Sequence, residues 1–285
     1  MMWNKILGSL VGFAIGDAMG ATTEFMSEKD IKKTLGQVTD IIGGGWLNLK
    51  AGEVTDDTQM TLCVCEAIDF TFSGMEVKLP FVSKFLDRCC NNFSDWFDEK
   101  PKDIGGTCRR VISLGKSFQK STLWFSLADD PDALGNGSLM RTMPIVLSGL
   151  GSLTAMLQGR LTHNNETCDT AIKRYYNVLE KILNGHELKN SMVDKLYEPT
   201  GHVLNTLNNS LYWATKTDTF EDAIIGAVNH GGDADTIAAI TGSLVGAKYG
   251  FDAIPSRWID QLDSNVLEKM KKYTKIFEKV CTNSK

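Results

Sequence analysis

The stretch Gly8-Ser9-Leu10-Val11-Gly12-Phe13-Ala14-Ile15-Gly16-Asp17-Ala18-Met19-Gly20 decides how this chain is read. Its glycines recur at every fourth position, and the spacing returns near the other end at Ala238, Gly242, Gly246 and Gly250. Residues four apart share one face of an α-helix, so each segment presents a ridge almost without side chains, along which two backbones can approach closely. Glycine inside a helix costs about 0.5–1 kcal/mol relative to alanine, so a run of them needs tight packing as compensation. The expectation is that these two helices cross near the centre of the fold and bring the chain ends together. Such spacing is better known from membranes, but Asp17 lies inside the first segment and Ile6 to Ala21 is too short to span a bilayer. That segment is read as a buried core helix rather than a signal peptide.

Outward from these ridges the period stays helical. Val266, Met270, Tyr273, Phe277 and Val280 alternate four- and three-residue steps with lysines and glutamate between them, the pattern of an amphipathic packing helix. Val203, Leu204, Leu207, Leu211 and Ala214 form a second stripe, and Met60, Cys63, Ala67 and Phe70 a looser third. Period-two runs long enough for strands are scarce, and there is no linker, low-complexity segment or solenoid repeat. The reading is an all-α protein, a single compact multi-helix domain over residues 1–285.

Composition narrows the partners. With 42% hydrophobic residues the chain can bury a core, and a net charge of −5 with pI near 5.5 argues against nucleic acid or an anionic membrane as a bulk electrostatic partner. The seven cysteines are odd in number and contain no CxxC pair, so neither a disulfide framework nor a structural zinc site is expected. A reducing, cytoplasmic setting and a monomer are expected.

Chemistry concentrates in two similar clusters. Gly52-Glu53-Val54-Thr55-Asp56-Asp57-Thr58-Gln59 opens a helix running to about Phe70, and His230-Gly231-Gly232-Asp233-Ala234-Asp235-Thr236 opens the second ridged helix. Thr and Asp at a helix start are ordinary caps that complement the macrodipole. Adjacent carboxylates exceed what a cap needs, and they repel one another unless a cation lies between them. Carboxylates and hydroxyls without cysteine select a hard divalent cation, Mg²⁺ or Mn²⁺, over zinc. If the ridges bring the clusters together, the carboxylates suffice for a pair of cations that can acidify and orient a water and clamp substrate oxygens, which is the chemistry of hydrolysis. Gly135-Asn136-Gly137-Ser138-Leu139-Met140-Arg141 and Gly43-Gly44-Gly45 could cradle phosphates through backbone N–H groups or form plain turns.

Taken in order, Gly16 to Gly20 with Glu24, Gly43 to Gly45, Gly52 to Thr58, Asp103-Ile104-Gly105, Gly135 to Pro144, Thr162-His163 and Gly231 to Thr236 resemble the ADP-ribosylglycohydrolase family over nearly the whole chain. The resemblance implies an all-α fold with a central cleft holding two Mg²⁺ or Mn²⁺ ions. Their ligands would be Thr55, Asp56, Asp57, Asp233, Asp235 and Thr236. It makes Glu24 a gate or a partner of the metal-bound water, and it sets Asp103 beside the ribose that is cleaved, with Asp235 counted in the catalytic group. Gly106, Thr107, Cys108, Asn136, Gly137, Ser138, Met140 and His163 would line a ribose and diphosphate pocket. His202 stands where some relatives carry a covering tyrosine, and Asn164-Asn165-Glu166 follow the Thr-His pair where relatives often carry prolines and a histidine. His163 reads equally as a core histidine held by hydrogen bonds, and His202 as a solvent-facing one.

The implied activity is removal of ADP-ribose from a modified acceptor, protein arginine first. Serine-linked ADP-ribose, a modified nucleobase or a small molecule would need the same reaction centre. A non-catalytic relative, structural or ADP-ribose-binding, is the reading from another class. Against it, every presumed ligand position keeps an oxygen donor.

Overall fold

The computed structural model describes residues 2–72, 80–188 and 192–283. The chain is built from α1 (Met2–Gly20), α2 (Glu28–Thr34), α3 (Asp56–Phe72), α4 (Pro80–Asp98) and α5 (Gly106–Gly115). The short α6 (Ser121–Leu127), α7 (Met143–Leu147) and α8 (Ser152–Gly159) lead into α9 (Glu166–Leu183) and α10 (Val203–Lys216). The last elements are α11 (Phe220–His230), α12 (Ala234–Tyr249), α13 (Ser256–Gln261) and α14 (Ser264–Asn283). Among the described residues the protein is helical without strands, apart from isolated backbone bridges.

The two ridged segments are α1 and α12, and they are the centre of the molecule. From Ile6 to Gly20 and from Ala234 to Ala247 every residue is buried, which is why neither helix has a polar face. They run antiparallel and in register: Gly8 against Gly246, Gly12 against Gly242, Gly16 against Ala238, and Gly20 against Ala234. A Cβ added to any of these four glycines of α1 would meet a carbonyl oxygen of α12 at under 3.0 Å. The helices thus lie side by side along the whole ridge rather than crossing at one point. Gly250 closes the ridge, its backbone also lying against Gly8. That residue ends α12 in a left-handed conformation (φ 86°), with Asn4 against it, as glycine does at helix C-termini.

Around this pair, α10 and α11 pack on α12, and α14 packs on α1, joining the chain ends as the ridges imply. Val266, Met270, Tyr273, Phe277 and Val280 are all buried, and so are Val203, Leu207, Leu211 and Ala214, with Leu204 half-buried. The stripe on α3 needs correction. Met60 and Ala67 are buried, but Phe70 is 62% exposed and lies beneath the Arg88 guanidinium, because the buried face runs through Met60, Val64, Ala67, Ile68 and Thr71 instead. The six cysteines with described side chains are free thiols, and no helix among the described residues is long and apolar enough to cross a membrane.

Candidate functional site

Because α1 and α12 are antiparallel, the C-terminus of one lies beside the N-terminus of the other, and α3 begins at the same place. The Thr55–Thr58 cluster is held there by Asp17, the one carboxylate of α1. Its carboxylate accepts from the Thr55 backbone N–H (3.1 Å), the Thr55 hydroxyl (2.8 Å) and the Thr58 N–H (3.0 Å). An aspartate from another helix therefore satisfies the first turn of α3, whose orphan N–H groups would otherwise be buried without partners. Thr55 also accepts from the Asp57 N–H (3.3 Å), so it is the cap of α3, and Asp56 and Asp57 are released from that task. Asp17→Ala removes three buried hydrogen bonds to a carboxylate and should destabilise the fold by about 3 kcal/mol. A thermal midpoint unchanged from the parent would count against this role.

The second cluster is stitched to the turn that follows α1. Phe25 N–H donates to Gly232 O (2.7 Å), Gly232 N–H to Met26 O (2.8 Å), and the Thr23 hydroxyl to Val228 O (2.7 Å). Gly231 (φ 75°) and Gly232 (φ 65°) need the left-handed conformation here, and a side chain on either would run into Met26 or Pro199. The stitching brings Glu24 to Asp233 and Asp235, and one carboxylate oxygen from each lies within 4.8 Å of the others. The two clusters touch directly, the Thr236 hydroxyl donating to Asp57 Oδ2 (3.3 Å) across 179 residues of sequence.

A cleft of about 250 Å³ opens over this meeting point. It is walled by Glu24, Phe25, Asp56, Asp57, Asp103, Asp233, Asp235 and Thr236 on the acidic side, and by Gly106, Thr107, Cys108, Asn136, Gly137, Met140 and His163 on the other. Asn136 ties the two sides, donating to Asp233 Oδ2 and to the Thr206 hydroxyl (3.0 Å), and Gly105 N–H donates to Asp56 Oδ2 (3.3 Å).

Some expected residues are elsewhere. Ser138 is wholly buried behind the wall, because the Asn136–Ser138 turn points it into the core. Thr55 is buried against Asp17 and does not line the cleft. His202 caps α10, its Nδ1 accepting from Leu204 N–H (3.3 Å), and the neighbouring Gly201 reaches the cleft instead. Gly43 to Gly45 form a turn closed by Gly44 and Leu49, outside the cleft, so the turn reading holds for them.

That turn has a use the glycines alone did not indicate. It presents Trp46, whose Nε1–H donates to Glu24 Oε2 (2.6 Å) and whose ring lies 5.4 Å from that of Phe25 at the mouth of the cleft. Phe25 holds a left-handed backbone (φ 62°) and is 68% exposed. A strained, solvent-facing aromatic residue of this kind marks a constrained position.

The electrostatics are those of crowded acids. Burial, and then mutual repulsion, raises Asp56 and Glu24 to about 8 and Asp233 to about 6, and pushes Asp57 and Asp235 well above the ordinary value; burial raises Asp103 too. Asp57 Oδ1 is buried without a partner among the described residues. An orphaned carboxylate oxygen amid further carboxylates and hydroxyls fits a hard divalent cation. Asp56, Asp57, Asp233, Asp235 and Thr236 could hold it, with one lone pair of Thr55 left over.

Each raised carboxyl binds its proton more tightly folded than unfolded, where it titrates near 4. Its contribution is present below about pH 4 and is lost as pH climbs through the folded values of about 6 and 8. Metal-free protein should therefore melt at falling temperature from pH 4 to pH 8. Mg²⁺ or Mn²⁺ at a hundred times its dissociation constant should return about 4–5 °C at pH 8. A flat profile in EDTA, or no shift with either ion, would contradict the cation assignment.

A family model described as ADP-ribosylglycohydrolase matches residues 2–199 and 169–284. The chain is 34% identical to the ADP-ribosyl-[dinitrogen reductase] glycohydrolase of Rhodospirillum rubrum, over 94% of each chain. It is 30% identical to the ADP-ribosylarginine hydrolase Tri1 of Serratia proteamaculans (strain 568), over 91% of this chain and 75% of that one. A solved chain described as an ADP-ribosylglycohydrolase-related protein complex matches with a TM-score of 0.80 at 26% identity, over 98% of both chains.

Proposed function

Because the chain belongs to the ADP-ribosylglycohydrolase family, we propose that it is a divalent-metal-dependent hydrolase of ADP-ribosyl-arginine on protein acceptors. The coarser activity, cleavage of a glycosidic bond to ADP-ribose, follows from that membership and from the names of its relatives. The observation that carries the finer reading is the meeting of Asp57 and Thr236 beneath a cleft that also holds Glu24 and Asp103.

The reaction adds water to the anomeric carbon, breaks the bond to the guanidine nitrogen, and delivers a proton to that nitrogen. Positive charge develops on the ribose as the bond loosens, and the Asp103 carboxylate on the cleft wall stabilises it. Trp46 occupies Oε2 of Glu24, so Oε1 is the oxygen left to take a proton from the attacking water and pass it to the departing guanidine. Asn136, fixed on Asp233 and Thr206, holds the far wall in register with the acids. Hard cations held by Asp56, Asp57, Asp233, Asp235 and Thr236 would supply Lewis acidity toward water and the ribose hydroxyls.

Arginine is favoured as acceptor by the relative named for it and by the mouth of the cleft. The Phe25 ring and the Glu24 and Asp103 carboxylates offer a guanidinium both an aromatic face and opposite charge. We also assign the protein to a reducing cytoplasmic setting, in keeping with its buried free thiols.

The test is release of free ADP-ribose from ADP-ribosyl-arginine and ADP-ribosyl-serine peptides, side by side, with Mg²⁺, with Mn²⁺ and with EDTA. Metal-dependent release from the arginine peptide is expected. Release from the serine peptide alone would move the assignment to O-linked substrates. Binding of ADP-ribose without release from either peptide would make the protein a reader.

A further inference from the structure

Arg141 lies between the Asn136–Ser138 turn and α7, and it is wholly buried. A guanidinium taken out of water ordinarily pairs with a carboxylate. Here each group it donates to is neutral. Nη1 donates to Gly137 O (2.8 Å) and toward Cys108 Sγ (3.6 Å), while Nη2 donates to the Thr162 hydroxyl (2.8 Å) and toward Gln158 O (3.4 Å). The Phe93 ring covers the guanidinium carbon at 4.8 Å. Gly137, Cys108 and His163 are cleft-lining residues, so the charge sits directly behind that wall.

The hydroxyl of Thr162 has one proton and two acceptor positions. Arg141 Nη2 takes one acceptor position and the Cys108 thiol, 3.9 Å away, takes the other. The proton is left with His163 Nδ1, at 2.8 Å. Thr162 therefore donates, and Nδ1 carries no hydrogen. Burial, with Arg141 and Arg110 near, lowers His163 to about 3, so the ring is neutral. A neutral ring with a bare Nδ1 bears its hydrogen on Nε2.

The Nε2 edge of the ring is bared by two glycines. A Cβ on Gly135 would stand 3.2 Å from Nε2, and one on Gly137 would stand 3.1 Å from Cε1 and 2.9 Å from Cys108 Sγ. Neither glycine has a positive φ, so the absent methyl matters here and not backbone freedom. No acceptor among the described residues meets Nε2.

We propose that Arg141 and Thr162 are positioning residues that lock His163 in its Nε2–H form, making it a fixed hydrogen-bond donor to an oxygen of bound ADP-ribose. The identity of the ligand rests on the function proposed above; the lock itself does not. A ring held this way donates without exchanging its proton, which leaves proton transfer to Glu24.

The chain has only four histidines, so ¹⁵N-labelled imidazole signals of the Mg²⁺-loaded protein can be assigned with a His163→Asn variant. Long-range ¹H–¹⁵N correlation should show His163 with a protonated Nε2 and a bare Nδ1 before any ligand is added. The Nε2 signal should then move on titration with ADP-ribose. Thr162→Val should mix the two ring forms, weaken ADP-ribose binding about tenfold and raise KM in step, with kcat within about twofold. Thr162→Ser should restore both the signal and the affinity. Arg141→Gln should act in the same direction, and Thr162→Val with the unmutated protein decides the matter if that variant does not fold. A hydrogen on Nδ1 in the unmutated protein, an Nε2 signal unmoved by saturating ADP-ribose, or parental affinity in Thr162→Val would each overturn the proposal. If ADP-ribose does not bind the unmutated protein, the function proposed above fails, while the ligand-free spectrum still decides the lock.

Discussion

Asp235→Asn is expected to lower kcat/KM for ADP-ribosyl-arginine by at least about a thousandfold and, with metal removed, to melt at a higher temperature than the parent. The two effects share one cause. Burial first, and then the neighbouring Glu24, Asp233, Asp17 and Asp56, push Asp235 well above the ordinary carboxyl value. Without a cation, those neighbours make its charge a liability to the folded state, so converting it to a neutral amide relieves repulsion. Asparagine keeps the Oδ1 that accepts from Thr236 N–H (2.8 Å), so the start of α12 is preserved. With a cation present, the same carboxylate would be part of what holds the ion, and the amide is a poor substitute. Steady-state kinetics, bound-metal analysis and thermal melts in EDTA separate these outcomes. Full activity, or a lower melting temperature in EDTA, would mean that Asp235 serves packing rather than the cation.

Gly16→Leu is expected to leave no folded protein. A Cβ at Gly16 would run into the backbone of Ala238, and a carbonyl cannot swing aside as a side-chain tip can. The central pair would have to separate, opening a void along Gly8, Gly12 and Gly20 as well, at a cost above about 4–5 kcal/mol. That is much of the stability of an ordinary domain. The site would be lost with the core, because Asp17 is the next residue of α1 and Asp235 belongs to the facing end of α12. Gly36→Asn is a suitable control, since nothing lies within 4 Å of a Cβ at Gly36 and asparagine tolerates its left-handed backbone. Soluble expression, helicity by circular dichroism and a thermal melt check the pair. A cooperative melt for Gly16→Leu near that of the parent would refute the close-packed ridge.

Much of this architecture is written locally. Small residues four apart announce a helix face that must meet another backbone, and Thr/Asp clusters ahead of apolar runs announce helix starts with surplus carboxylate. Those signals depend only on spacing and residue type, so they survive without coordinates. The stripe through Phe70 failed because residues at neighbouring three- and four-residue steps compete for one buried face, and Ile68 and Thr71 take it in place of Phe70. Ser138 and His202 were expected in the pocket from the family resemblance, yet a resemblance carries no side-chain direction, and one faces the core while the other caps a helix.

The missed residues act at a distance. Asp17 gave a hint, as the one carboxylate in a helix buried from Ile6 onward, but its partners Thr55 and Thr58 lie about forty residues on. Trp46 could not be tied to Glu24 from a glycine turn, and Arg141 gives no sign in sequence that its partners are neutral.

By itself, then, the sequence determined the helical class, the backbone contact between its two glycine-ridged helices and the oxygen-only character of the candidate cation ligands, because each is a property of one helix and its nearest residues. Only the tertiary structure decided which carboxylate caps a helix, which face the cleft and which nitrogen of His163 carries hydrogen. Those depend on which donors and acceptors remain unsatisfied once α1, α3 and α12 have met, a quantity that does not exist until the chain is folded.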